Sequence, residues 1–100
     1  MNLPLPKRTS WPVYRSALNT ALAAVRRHGA DVLVVSLGVD AYKEDPVSAF
    51  ALESEDFIEI GRAIGELAKP TLLVMEGGYA IDALGVNVVN ALSGFIESHG

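Results

Sequence analysis

One hundred residues, half of them apolar and a fifth charged, suit a single small globular domain and leave no room for a second domain with its own core. The formal charge of -4 gives no long-range attraction toward phosphate backbones, so nucleic acid is a poor partner. With no cysteine, disulfides, thiolate zinc sites and a cysteine nucleophile drop out together, and any metal has to use oxygen or imidazole donors.

The opening Met-Asn-Leu-Pro-Leu-Pro is not a basic segment followed by an apolar run, and Pro4 and Pro6 push their predecessors toward extended geometry. Residues 2–9 therefore read as an extended connector. No apolar run approaches the ~20 residues of a membrane span, which makes cytoplasmic residence the default expectation. Lys7-Arg8 and Arg26-Arg27 are pairs too short to form a basic arm and read as solvated positions.

Ser10 can cap a helix whose first turn tolerates Pro12. Val13, Tyr14, Ala17, Leu18, Ala21, Leu22 and Val25 then recur at helical spacing, and Gly29 supplies the stop, which predicts a helix over 11–28. The run Asp31-Val-Leu-Val-Val-Ser-Leu37 predicts a strand over 31–37 buried on both faces. A polar stretch over 38–53, holding Asp40, Glu44, Asp45 and Pro46, is long for a connection in a compact domain, and loops of that length tend to be functional.

Ser54, with Glu55 and Asp56 in the first turn, opens a second helix over 54–68 whose Phe57, Ile60, Gly61, Ile64 and Leu67 share a face, with Pro70 beyond its end. Thr71-Leu-Leu-Val-Met75 predicts a second buried strand, Glu76-Gly77-Gly78-Tyr79 a tight turn, and a third helix follows over 82–96 with Leu84, Val88, Leu92 and Phe95 inward. Strand, crossover helix and strand form a βαβ unit, which closes onto a parallel sheet. Two double-faced strands demand neighbours, so the sheet should extend beyond these residues and the chain should associate or be marginally stable alone.

In open parallel sheets, ligands bind beyond the carboxyl ends of the strands. Asp40 follows the first strand and Tyr79 the second, so both emerge on the same edge. Asp40 has two readings, an oxygen ligand to a metal or a cap on the loop. Tyr79 likewise has two, a phenol donating to an oxyanion over an open pocket or a ring packed on a helix. Gly77 and Gly78 before it permit backbone angles closed to other residues. Glu76 reads as structural, a carboxylate able to bond loop amides. The paired glycines lack dinucleotide-fingerprint spacing and no P-loop lysine follows them. Ser36 is not in a nucleophile elbow. His28 at a helix end and His99 in the tail read as solvated.

Taken together, Val34-Val-Ser-Leu-Gly-Val-Asp40 with Asp45-Pro46, and Leu73-Val-Met-Glu-Gly-Gly-Tyr79, resemble two segments of the acetylpolyamine amidohydrolase and histone deacetylase superfamily. The likeness runs from the Leu-Pro-Leu-Pro opening to Gly-Val-Asn-Val-Val-Asn-Ala-Leu, and it is nearer to the bacterial acetylpolyamine amidohydrolases than to nuclear deacetylases. It implies an α/β fold, a parallel βαβ-type fragment of a three-layer α/β/α arginase/deacetylase-like fold, with residues 1–100 as a single partial domain from its C-terminal part. In that family one zinc, held by two aspartates and a histidine, polarises an acetyl carbonyl and activates water; a histidine pair moves protons and a tyrosine stabilises the oxyanion. By this resemblance Asp40 matches the second aspartate ligand, Tyr79 the catalytic oxyanion donor, and Gly77 and Gly78 the loop beside the substrate.

The family's Asp-x-His ligands and His-His pair have no counterpart here, and a single aspartate falls short of the three protein ligands usual for catalytic zinc. The leading expectation is the C-terminal part of a zinc-dependent hydrolase of acetylated polyamines or similar small acetylated amines, inactive as an isolated chain. It would self-associate or pair with a missing N-terminal portion. The competing expectation is a non-catalytic α/β interaction module derived from the same fold. A flavodoxin-type binding module comes third, because no phosphate-cradling loop is visible.

Overall fold

A computed structural model describes residues 1–46 and 50–99. Helix α1 (Trp11–His28) is followed by strand β1 (Leu33–Gly38), helix α2 (Asp56–Gly65), strand β2 (Thr71–Glu76) and helix α3 (Ile81–His99). The two strands pair in parallel, in register from Leu33 opposite Thr71 to Gly38 opposite Glu76. The result is the α/β architecture with a parallel βαβ core that the sequence predicts, consistent with part of an arginase/deacetylase fold. Among the described residues no helix is long and apolar enough to cross a membrane.

Local chemistry sets most of the boundaries. Ser10 is extended just before α1, and its carbonyl accepts from the Tyr14 N–H at 3.1 Å, although its side chain makes no capping bond. Gly29 closes α1 in the left-handed region, at φ 74°. Helix α2 is shorter than the expected 54–68. Its entry is a tight turn in which the Asp56 carboxylate accepts from the Glu53 N–H at 2.8 Å, and its exit narrows to bonds from Leu67 to Ile64 and from Ala68 to Gly65. Ala68 then adopts φ 55°, which ends the helical path before Pro70. Helix α3 instead runs three residues past the expected end. His99 is no tail residue: its ring stacks on Phe95 at 4.9 Å and its Nε2 lies 2.9 Å from the Lys69 carbonyl.

The core joins Leu37 of β1 and Phe57, Ile60 and Ile64 of α2 to Ala91 of α3. Leu18 and Leu22 of α1 and Leu33 and Val35 of β1 pack against this cluster. The connection after β1 is less polar in role than in composition. Val39, Tyr42 and Leu52 are buried in the same core, and Tyr42 and Leu52 form an isolated parallel bridge. Ala51 also donates to the Thr9 carbonyl at 2.9 Å, tying the N-terminal connector to this loop. Residues 47–49 of the connection lie outside the described residues.

Two expectations of burial need correcting. The strands are not covered on both faces: Val34 is 64% exposed, Leu72 58% and Val74 39%, and in the paired register they share one face. An unbroken apolar run looks the same whether its second cover comes from its own chain or from elsewhere, and the exposed face agrees with the expectation that the sheet needs further neighbours. On α3 the innermost residues are Asn87, Ala91 and Gly94, with Leu84, Val88, Leu92 and Phe95 flanking them half-buried.

Small residues explain that rotation, because they let α2 and α3 approach closely. A Cβ placed on Gly61 would overlap the Ala91 carbonyl, and one on Gly94 would overlap the Ile58 carbonyl. Gly85, on the same helix, has open space around it. Alanine is favoured over glycine in a helix by about 1 kcal/mol, whereas overpacking a filled seam costs about 1–3 kcal/mol. Gly85→Ala is therefore expected to raise the midpoint of urea unfolding and Gly94→Ala to lower it. Equal responses would mean the helices can separate to admit a methyl group.

Candidate active site

Because β1 and β2 are parallel and end opposite each other at Gly38 and Glu76, the two following loops leave from one sheet edge. Asp40 lies two residues beyond β1 and Tyr79 three beyond β2. The loops also touch. A Cβ built on Gly77 would come within 2.5 Å of Asp40 Oδ2, and one on Gly38 within 2.9 Å of Asp40 Oδ1. The Asp40 carboxylate thus occupies space that only glycines on both strand ends leave free.

Gly77 and Gly78 have φ of 25° and 126°, angles that side-chain-bearing residues rarely adopt. Gly78 is also wedged, since a Cβ there would lie 2.7 Å from Val39 Cγ2 and 2.9 Å from Leu84 Cδ1. The turn is accordingly seated between the loop after β1 and the start of α3. It delivers Tyr79 as a half-exposed residue, at 51% exposure. Its backbone N–H donates to Asp45 Oδ2 at 2.6 Å. The loop-amide contact considered for Glu76 falls instead to Asp45, which is buried, while Glu76 is exposed.

Two further tyrosines surround this edge. Tyr14 of α1 has its phenol pushed above the ordinary value, chiefly by burial and secondarily by the negative charge of Asp40. Its ring meets Phe50 edge-on at 6.0 Å. Tyr42 donates to Glu44 Oε2 at 2.8 Å, and that hydrogen bond is the main cause raising its phenol. A hollow of about 250 Å³ lined by Tyr42, Glu44, Ala80, Ile81, Asp82 and Ala83 opens beside the turn. Neither tyrosine stands out in the sequence as a neighbour of the site. Tyr14 reads there only as one position of an amphipathic face.

Among the described residues no three histidine, aspartate or glutamate side chains converge as a metal would require. His28 and His99 lie on α1 and α3, outside the two loops. A catalytic zinc ion needs about three protein ligands, so these residues do not make a zinc site by themselves. Asp40 could contribute one oxygen donor to a site completed by other residues.

Comparisons with known proteins identify the family. The histone deacetylase domain matches residues 1–95. The chain is 48% identical over 98 residues to acetylpolyamine amidohydrolase 2 of Pseudomonas aeruginosa, covering 98% of the chain and 28% of that relative. It is 47% identical over 94 residues to acetylpolyamine amidohydrolase 1 of the same organism, covering 94% of the chain and 27% of the relative. The crystal structure of acetylpolyamine aminohydrolase from Burkholderia pseudomallei superimposes with a TM-score of 0.97 at 39% identity, over 100% of this chain and 29% of that one. The chain thus spans less than a third of the length of these relatives.

Proposed function

The chain belongs to the histone deacetylase domain family, and on that premise we propose that it is the C-terminal part of a zinc-dependent amidohydrolase acting on acetylated polyamines or similar acetylated amines. The observation that carries this reading is the contact of the Asp40 carboxylate with the glycine turn that presents Tyr79. Support comes also from relatives and a solved structure bearing acetylpolyamine names. Asp40 serves as one oxygen ligand of the metal in the complete fold. Tyr79 donates its phenol O–H to the oxyanion that develops on the acetyl carbonyl, a contact that is stronger in the transition state than in the ground state. Gly77 and Gly78 hold the turn beside the substrate. The remaining ligands and the groups that move protons come from outside these residues.

The uncovered sheet face supports the same reading. Val34, Leu72 and Val74 form an apolar surface that a parallel sheet normally keeps buried. Its occupant is the rest of the deacetylase fold, or a second copy when that is missing. The alternative reading, a non-catalytic interaction module, rests on the incomplete set of metal ligands.

A segment exchange separates the two. Placing this chain in the position of the matching 29% of the Burkholderia pseudomallei enzyme should give a folded protein that hydrolyses an acetylated polyamine, loses activity to a chelator and regains it with zinc. A folded chimera that binds no zinc and shows no hydrolysis would favour the module.

A further inference from the structure

We infer that Asp45 is a positioning residue for Tyr79, clamping the loop after β2 to the loop after β1. The catalytic consequence rests on the function proposed above, whereas the clamp itself stands on geometry alone. Asp45 is 5% exposed, yet it lies in an acidic, mostly polar connection where a solvated carboxylate would be the ordinary expectation. A buried carboxylate is costly unless hydrogen bonds compensate it. One such bond, at 2.6 Å from the Tyr79 backbone N–H to Oδ2, links residues 34 apart in sequence. Hydrogen bonds to an ionised carboxylate are roughly twice as strong as neutral ones.

The donor is equally telling. Tyr79 follows two glycines at positive φ and precedes α3, so its N–H has no ladder or helical carbonyl of its own to meet. Asp45 Oδ2 is the acceptor that the structure gives this amide. Successive turns, Tyr42 N–H to Val39 and Asp45 N–H to Tyr42, carry the chain from β1 to Asp45, and Pro46 restricts Asp45 to extended geometry. One loop therefore grips the other at two points, with Asp40 against Gly77 and Asp45 on Tyr79. A misplaced phenol loses the alignment on which oxyanion stabilisation depends, and the clamp holds the backbone from which the Tyr79 side chain projects.

Amide hydrogen exchange on the isotope-labelled full chain tests the clamp without any activity. Asp45→Ala should raise the exchange rate of the Tyr79 amide at least tenfold while the α2 and α3 amides keep theirs. Asp45→Asn, which retains one acceptor in nearly the same volume, should restore much of the protection. Unchanged Tyr79 exchange in Asp45→Ala, or loss of protection throughout the core in both variants, would overturn the inference. In the segment-exchanged enzyme, Asp45→Ala should lower kcat at least tenfold with KM and zinc content held, and Asp45→Asn should recover part of it. An Asp45→Ala enzyme with the parent's kcat would overturn the positioning role even if the amide is freed. An inactive parent chimera, with the exchange result intact, would count against the proposed function and leave the clamp standing.

Discussion

Tyr79→Phe in the segment-exchanged enzyme is expected to lower kcat by about a hundred- to a thousandfold, the usual consequence of removing one oxyanion donor. KM and zinc content should stay near those of the parent. The ring is half-exposed, so deleting its hydroxyl leaves no cavity and no buried partner unsatisfied, and stability should hardly change. Asp40→Ala should also abolish turnover, but by another route. Its carboxylate sits between Gly38 and Gly77, and on the proposed role as an oxygen ligand its removal should lower bound zinc as well as rate. Metal analysis alongside kinetics distinguishes the two. Loss of zinc in Tyr79→Phe, or full zinc in Asp40→Ala, would mean that the roles have been assigned to the wrong side chains.

The order of elements was readable because apolar side chains report their own burial. Phe57, Ile60 and Ile64 fall at helical spacing and are buried on one face of α2. The short runs around Val34 and Leu72 proved to be strands because their length and β-branched content leave little alternative. Asp40 and Tyr79 were legible for a topological reason: in a parallel pair, whatever follows each strand emerges at the same edge. The structure brings Asp40 against Gly77, two residues before Tyr79.

What escaped the sequence has more than one physical cause, the first being that small residues carry weak hydrophobic signal. Ala91 and Gly94 set the approach of α3 to α2, yet the larger Leu84 and Val88 dominate the pattern of α3. Leu52 and Tyr42 are buried within a connection whose charges suggest solvent. Asp45 reads as one acidic residue among several until the Tyr79 amide is seen against it. Hydrogen bonds between residues far apart in sequence leave no periodic trace.

The purified 100-residue chain is expected to show no zinc-dependent hydrolysis of an acetylated amine, and the reason is a count of groups rather than a defect of folding. Water activation needs a metal held by about three ligands, and the described residues bring no three together. Moving a proton to the departing amine needs a positioned acid or base, and His28 and His99 are placed on helices away from the Asp40 and Tyr79 loops. The oxyanion stabilisation proposed for Tyr79 has nothing to act on until a nucleophile is generated. The uncovered face of Val34, Leu72 and Val74 should meanwhile drive association. Sedimentation and an acetate-release assay, run with zinc added and with a chelator, read both consequences. Acetate release by the chain alone, abolished by the chelator and restored by zinc, would overturn the reading of the isolated chain as inactive. A monodisperse monomer would show that the exposed strand face is tolerated in water.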